Sequence, residues 1–331
     1  MKNKRLISNK NCCILIILTI LFGNLNAQEI RFNDVQNFNV WYNQSLKLNQ
    51  AREFKAAFRK TEYEGILAFN TNALLLNIPL LNKAERENAE KDNYFNVSTG
   101  AAFESNGGVF KQSLGMLGVS YALRLTERKI YASFGFQTLL TQTRVTLNGT
   151  GFPDQYNEFG PIAYKASLDP LQSGKTFQMV GLNVGASIFK KSTNNEWYFG
   201  VSIRNANKPF AEDTKKIDYQ LKPSFGSQSG VKFIYNKYDI DVYGLVNLNN
   251  FENEILVGGR VNMYYGNSKK FQEKNAIGFG CSYRIDDSII PSLNLNYEGT
   301  RLVFQYDINS SAISKSIISR TGYEVSLMKT F

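Results

Sequence analysis

The chain has 331 residues, 38 of them basic and 28 acidic, no histidine, and 43% apolar residues. Without histidine there can be no Ser-His-Asp hydrolase, no His-ligated zinc and no imidazole base. There is also no paired-carboxylate, glycine-rich phosphate or CxxC motif, so no catalytic residue, cofactor or metal site is expected and the chain is not read as an enzyme.

Residues 1–27 read as a cleaved signal peptide. Lys2, Lys4, Arg5 and Lys10 form a positive stretch, and 14–22 (ILIILTILF) form an apolar core too short to span a bilayer as a helix. Leu25-Asn26-Ala27 then offers a cleavage site. Cys12 and Cys13 leave with this leader, so Cys281 remains alone and no internal disulfide can form. Losing the leader's four basic residues leaves 34 basic against 28 acidic, a net +6. That excess is scattered, as on solvated turns and loops, and no nucleic-acid partner is expected; an acidic partner or lipopolysaccharide phosphate is the alternative.

Residues 28–52 read as a short periplasmic segment ahead of a barrel over 53–331. From there on, apolar and polar residues alternate with period 2. In 180–188, Val180, Leu182, Val184, Ala186 and Ile188 oppose Gly181, Asn183, Gly185 and Ser187. In 276–285, Ile277, Phe279, Cys281, Tyr283 and Ile285 oppose Gly278, Gly280, Ser282 and Arg284. The last residues repeat the pattern and stop on an aromatic, with Tyr323, Val325, Leu327 and Phe331 against Glu324, Ser326, Met328 and Thr330. About fourteen such segments occur, many near the nine to eleven residues of a tilted membrane strand. No apolar run near 18 residues follows Ala27. The expectation is all-β: a single transmembrane antiparallel β-barrel of about 14 strands in the outer membrane of a Gram-negative cell. An even count puts both ends of the barrel domain in the periplasm and the connections 144–177 and 205–223 at the cell surface. A soluble β-sandwich is the alternative, but it would not turn aromatics and aliphatics outward all round.

Arg124, Arg204, Arg260, Arg284, Glu298, Asp307 and Glu324 fall on the polar phase and are expected in the lumen. Unpaired burial of such charges is costly, so they should meet one another or water. They form either a salt-bridge lattice that stiffens the barrel, or a charged lumen that recognises a solute or holds a partner segment. In loop 144–177, Phe152, Tyr156, Phe159 and Tyr164 lie among glycines and prolines, and Phe210 lies in the next loop. Exposed aromatics on bent loops suit a partner-binding surface; a loop folded inward as a plug is the alternative.

Several pieces of the chain resemble one family. They are the YR-x-DD-x-IIP turn (Tyr283, Arg284, Asp286, Asp287, Pro291), the YDIN-x-S block (Tyr306 to Asn309, then Ser311) and the G-x-E-x-SL ending (Gly322, Glu324, Ser326, Leu327). With NVGASIF at 183–189 and WYFGVSIRNANKP at 197–209, they are similar to the PorP/SprF outer-membrane proteins of the type IX secretion and gliding-motility machinery of Bacteroidetes. The N-terminal N-P-A-Y-A-G stretch of that family is replaced by Asn49-Gln50-Ala51 after Tyr42-Asn43-Gln44. The resemblance implies a barrel that helps export or anchor a large surface adhesin. Its partners would be the adhesin's C-terminal domain, periplasmic ring components of the secretion machinery, and the surrounding outer-membrane lipid. An outer-membrane channel for small or hydrophobic solutes is the competing function.

Overall fold

The structure, a computed structural model, describes residues 30–63, 67–81, 92–106, 109–145, 156–157, 160–161, 175–192, 194–211, 219–249, 253–265, 275–310 and 320–331. Fourteen strands close into one antiparallel barrel. They are β1 (Glu53–Tyr63), β2 (Leu67–Leu80), β3 (Asn93–Asn106), β4 (Phe110–Thr126), β5 (Ile130–Val145), β6 (Lys175–Lys190) and β7 (Asn195–Arg204). The second half comprises β8 (Ser224–Ile234), β9 (Tyr238–Leu248), β10 (Asn253–Tyr265), β11 (Asn275–Arg284), β12 (Ser288–Tyr297), β13 (Thr300–Asn309) and β14 (Arg320–Thr330). Each strand pairs with its neighbours in sequence, and β1 pairs with β14 from Glu53↔Thr330 to Tyr63↔Arg320. Closure satisfies the backbone groups an open edge would expose, which is what a bilayer demands.

The period-2 pattern sorts the side chains. Phe134, Phe136 and Phe279 are each more than 60% exposed on the outer wall, alongside Leu117, Val119, Phe199, Val201 and Phe304. So continuous an apolar belt would be a liability in water and is the lipid-facing surface of a membrane barrel. The alternate residues point inward and are polar and buried, among them Gln137, Asn183, Ser202, Arg260, Arg284 and Glu324. We call the end where β1 begins and β14 finishes the lower end. Connections 146–174 and 205–223 leave the opposite, upper end. A two-residue turn, Glu298-Gly299, joins β12 to β13 at the lower end, with φ of 44° and 71°. Both residues lie in the left-handed region, the geometry of the tightest hairpins, which is why glycine stands there.

One expectation is corrected. Residues 32–48, read from sequence as part of a periplasmic segment, are folded inside the barrel. A single helical turn, α1 (Asn39–Tyr42), sits mid-lumen. Phe32, Phe38, Val40 and Leu46 are out of solvent altogether. Phe32 stacks on Phe38 at 4.3 Å between ring centres and meets Trp41 edge-on at 5.4 Å, giving the segment a small apolar core of its own. The physical reason is burial: an exported segment with this many large apolar side chains gains by leaving water. The lumen supplies polar partners for its backbone.

Candidate functional site

The site is the lumen and the plug that fills it. On one side the wall is charged. The Glu324 carboxylate of β14 accepts the backbone N–H groups of Asn33 (2.7 Å) and Asp34 (3.0 Å). The Asp34 side chain accepts from the Ser326 hydroxyl at 2.6 Å and lies 3.5 Å from the Arg260 guanidinium, both ions fully buried. Arg284 donates to the Asn33 side chain at 3.1 Å and pairs with Glu254 at 3.0 Å and Asp287 at 3.2 Å. Arg320 continues the chain to Asp287 at 2.5 Å, and Asp307 pairs with Arg59 at 3.1 Å. Alternating signs run from β10 through β11, β14 and β13 to β1, the arrangement that keeps buried ions from standing alone. Asp287 lies in the turn after β11. Burial alone would raise its carboxyl, but the Arg320 and Arg284 guanidiniums outweigh that and hold it at about 2.

The opposite wall meets the plug with neutral groups. Ser202 of β7 donates to the Tyr42 carbonyl at 3.1 Å, Ser187 of β6 to the Ser45 carbonyl at 3.0 Å, and Tyr94 of β3 to the Lys47 carbonyl at 3.0 Å. In return Asn43 donates to the Val201 carbonyl at 3.1 Å, and Gln44 to the Ser98 hydroxyl at 3.0 Å. Inward glycines let the plug come this close. A Cβ on Gly135 would stand 2.7 Å from the Ser45 nitrogen and 2.8 Å from the Gln44 carbonyl carbon, and one on Gly185 would overlap the Asn43 side chain. At the lower end Lys47 pairs with Glu53 at 2.7 Å, and Lys55 donates to the Asn37 carbonyl at 2.6 Å. A polar cavity of about 280 Å³ lies beside this exit, lined by Lys47, Glu53, Lys55, Lys232, Asp239 and Tyr264 among others.

The residues singled out from sequence fall into three groups. Arg204, Arg260, Arg284, Asp307 and Glu324 are buried on the lumen side, Arg204 donating to Asn247 at 2.9 Å. Arg124 and Glu298 are not in the lumen. Arg124 lies at the lower rim beside a register shift, where it pairs with Asp92 and donates to the carbonyls of Thr126 and Glu127, both at 2.9 Å. Glu298 is held in the exposed turn by its left-handed backbone. Of the loop aromatics, Phe152, Phe159 and Tyr164 lie outside the described residues. Tyr156 belongs to the short antiparallel pair 156–157 with 160–161, and Phe210, in the pair 210–211 with 219–220, is exposed. Sequence reasoning missed Asp34, Glu254 and the whole plug. The signal was present as apolar residues at 32, 38, 40, 41 and 46, and as glycines on the polar phase of β4, β6 and β7.

Fold and site together define an outer-membrane β-barrel whose lumen is occupied by its own N-terminal segment. The chain belongs to the PorP/SprF family, described as type IX secretion system membrane proteins, whose profile matches residues 68–328. This is a secretion-associated membrane family and not an enzyme class. No protein of curated function matches the sequence. Among solved structures, the toluene transporter TodX of Pseudomonas putida is similar at 7% identity over 91% of this chain and 93% of that one, with a TM-score of 0.51. An outer membrane channel from Pseudomonas putida F1 is 10% identical over 92% of this chain and 100% of its own, with a TM-score of 0.44. At 7% identity the likeness to TodX speaks to the barrel fold alone.

Proposed function

We propose that this barrel helps to export or anchor a large cell-surface protein, an adhesin, by docking it and not by conducting it. The observation that carries the reading is the plug: residues 32–48 pack the mid-lumen and are tied to both walls. A barrel of this strand number filled in this way is too narrow for a folded protein to pass. The upper end, with the connections 146–174 and 205–223 and the aromatics Phe152, Tyr156, Phe159, Tyr164 and Phe210, would meet the adhesin's C-terminal domain. The lower end, with the polar mouth around Lys47 and Glu53, would face the periplasm and ring components of the secretion machinery. Family membership supports secretion-machinery partners as a class.

Surface proteomics of a deletion strain tests this. Loss of one or a few large surface proteins, with other type IX cargo still secreted, is the expected result. The diverged 49–51 element favours such a cargo-dedicated member over a core component, whose loss would stop all cargo. An unchanged surface together with lost uptake of a small solute would replace this reading with the solute-channel function. Sidedness is tested apart. In a Cys281→Ser background, Gly151→Cys should label on intact cells and Lys237→Cys should not.

A further inference from the structure

The outer wall carries a feature that the plugged lumen does not use. Near the upper end, a groove of about 760 Å³ runs across the lipid-facing side of β3 to β6. Its floor is low because Ala101, Ser113 and Gly115 are small, and Phe103, Leu140 and Val180 rise around it. Its roof is the segment 207–210, ending in exposed Phe210. That roof is fastened. The Asn207 side chain accepts from the Leu182 N–H at 2.9 Å and donates to the Val180 carbonyl at 2.7 Å. On β4 and β5 the apolar belt (Leu117, Val119, Phe134, Phe136) continues up into the groove through Leu140, with Phe103 and Val180 beside it. Just above the groove, Lys111 and Arg144 stand directly opposite one another across the β4–β5 ladder, both exposed on the outer face. Each is two residues, about 7 Å, beyond the Ser113↔Gln142 pair of the groove. Like charges in directly opposed positions repel. Among the described residues no carboxylate pairs with either, and Lys208 adds a third exposed cation at the roof.

We propose that this groove and its basic rim seat a phosphorylated, acylated glycolipid, the lipid A of the outer leaflet. An acyl chain would lie against Gly115, Leu140 and Val180, and a phosphate would bridge Lys111 and Arg144. Charge complementarity and height select this occupant: the cations stand at the edge of the apolar belt, where headgroup phosphates lie, and the groove opens into the acyl region beneath. A peptide strand would have no use for an apolar trough at membrane depth. The assignment rests on the reading that the upper end faces the cell surface.

The test uses the full-length barrel in detergent, with bis-phosphorylated lipid A, the same glycolipid stripped of phosphate, and phosphatidylglycerol as probes, binding being read by native mass spectrometry. Each basic side chain at an anionic lipid surface is worth on the order of fivefold in affinity, so Lys111→Gln with Arg144→Gln should weaken lipid A binding about 30-fold. Removing the phosphates should weaken binding to the wild-type protein comparably. Gly115→Leu should also reduce binding by filling the trough; a Cβ there meets only the Leu140 Cβ at 3.9 Å, so the barrel has room for it. Unchanged heat-modifiable migration in gels confirms that the variants fold. Equal binding by wild type and the double variant overturns the site, and equal binding of phosphatidylglycerol overturns the choice of lipid A. Lys111→Cys in the Cys281→Ser background, labelled on intact cells, reports sidedness by itself, so a failure there is told apart from a failure of the site.

Discussion

The two walls of the lumen hold the same plug by different means. The charged wall, from β10 to β14, recognises identity through Arg260, Arg284 and Ser326, which meet the side chains of Asp34 and Asn33, while Glu324 holds their backbone N–H groups. The neutral wall, from β3 to β7, recognises backbone: Ser187, Ser202 and Tyr94 donate to carbonyls that any sequence would present. The first wall fixes which residue sits where, and loss of one partner strands an ion. The second mainly holds main chain that lies flat against its glycines, with Asn43 and Gln44 as its two side-chain anchors. Register therefore comes from residues 33–34, while close contact comes from residues 42–47.

The largest effect should follow from cutting the charged wall. Asp34→Ala removes the carboxylate 3.5 Å from Arg260 and the acceptor of Ser326, leaving Asp241, opposite Arg260 across the β9–β10 ladder, as the remaining counter-charge. Loss of one partner of a buried pair costs about 3–5 kcal/mol, and Asp241 places this change at the lower end of that range. Urea unfolding should show this loss. The plug should also loosen, so that Val40→Cys, fully buried in the parent, becomes reactive to a water-soluble thiol reagent in the Cys281→Ser background. If Asp34→Ala proves as mild as the neutral-wall changes below, the walls do not divide the work in this way.

Next in size is crowding of the neutral wall. Gly135→Val places a side chain against the backbone of Gln44 and Ser45, which cannot swing aside as a side chain could. Overpacking of this kind costs about 1–3 kcal/mol. The same replacement at Gly259, where a Cβ meets only the Asp241 carbonyl oxygen at 3.8 Å, is the control and should cost less.

Acid should separate the walls without mutation. The Asp287 carboxyl is depressed from 3.8 to about 2 by Arg320 and Arg284 against the opposing pull of burial. A depressed acid contributes stability above its unfolded pKa and loses it as pH falls through its folded one. Its share is therefore intact above about pH 4 and gone below about pH 2. Asp287→Asn should remove this part of the acid dependence, leaving unfolding midpoints flatter between those limits. The neutral-wall contacts of Ser187, Ser202 and Tyr94 carry no such dependence. An unchanged acid profile in Asp287→Asn would show that the ion chain is not what falls apart in acid.

Much of the barrel was legible because membrane strands obey one rule, alternation, that needs no tertiary knowledge. The expected alternating segments at 180–188 and 276–285 fall within β6 and, shifted by one residue, on β11. Arg260, Arg284, Asp307 and Glu324 were legible for the same reason. The plug was not, because 32–48 has neither period: its apolar residues answer to a cavity whose shape only the closed barrel creates. Arg124 and Glu298 were misplaced because alternation is blind to where a strand stops, and both stand at the rim. Asp34 could have been found only by asking what Arg260 and Ser326 face across the lumen.

The smallest effect probes the backbone-reading wall directly. Ser202→Ala removes the hydroxyl that donates to the Tyr42 carbonyl, and Ser187→Ala the one that donates to the Ser45 carbonyl. A single neutral hydrogen bond contributes about 0.5–1.5 kcal/mol net, so each change should move the urea midpoint slightly. Their partners are three residues apart in the plug, and each contact is local, so the double variant should cost the sum of the singles. Coupling is expected instead on the charged wall, where one carboxylate, Asp34, serves both Arg260 and Ser326. Strong coupling between Ser187 and Ser202 would mean that the plug docks on the neutral wall as a rigid unit, so that losing either contact frees the whole of 42–47. The neutral wall would then share in setting register, and the division between identity on one side and backbone on the other would have to be redrawn.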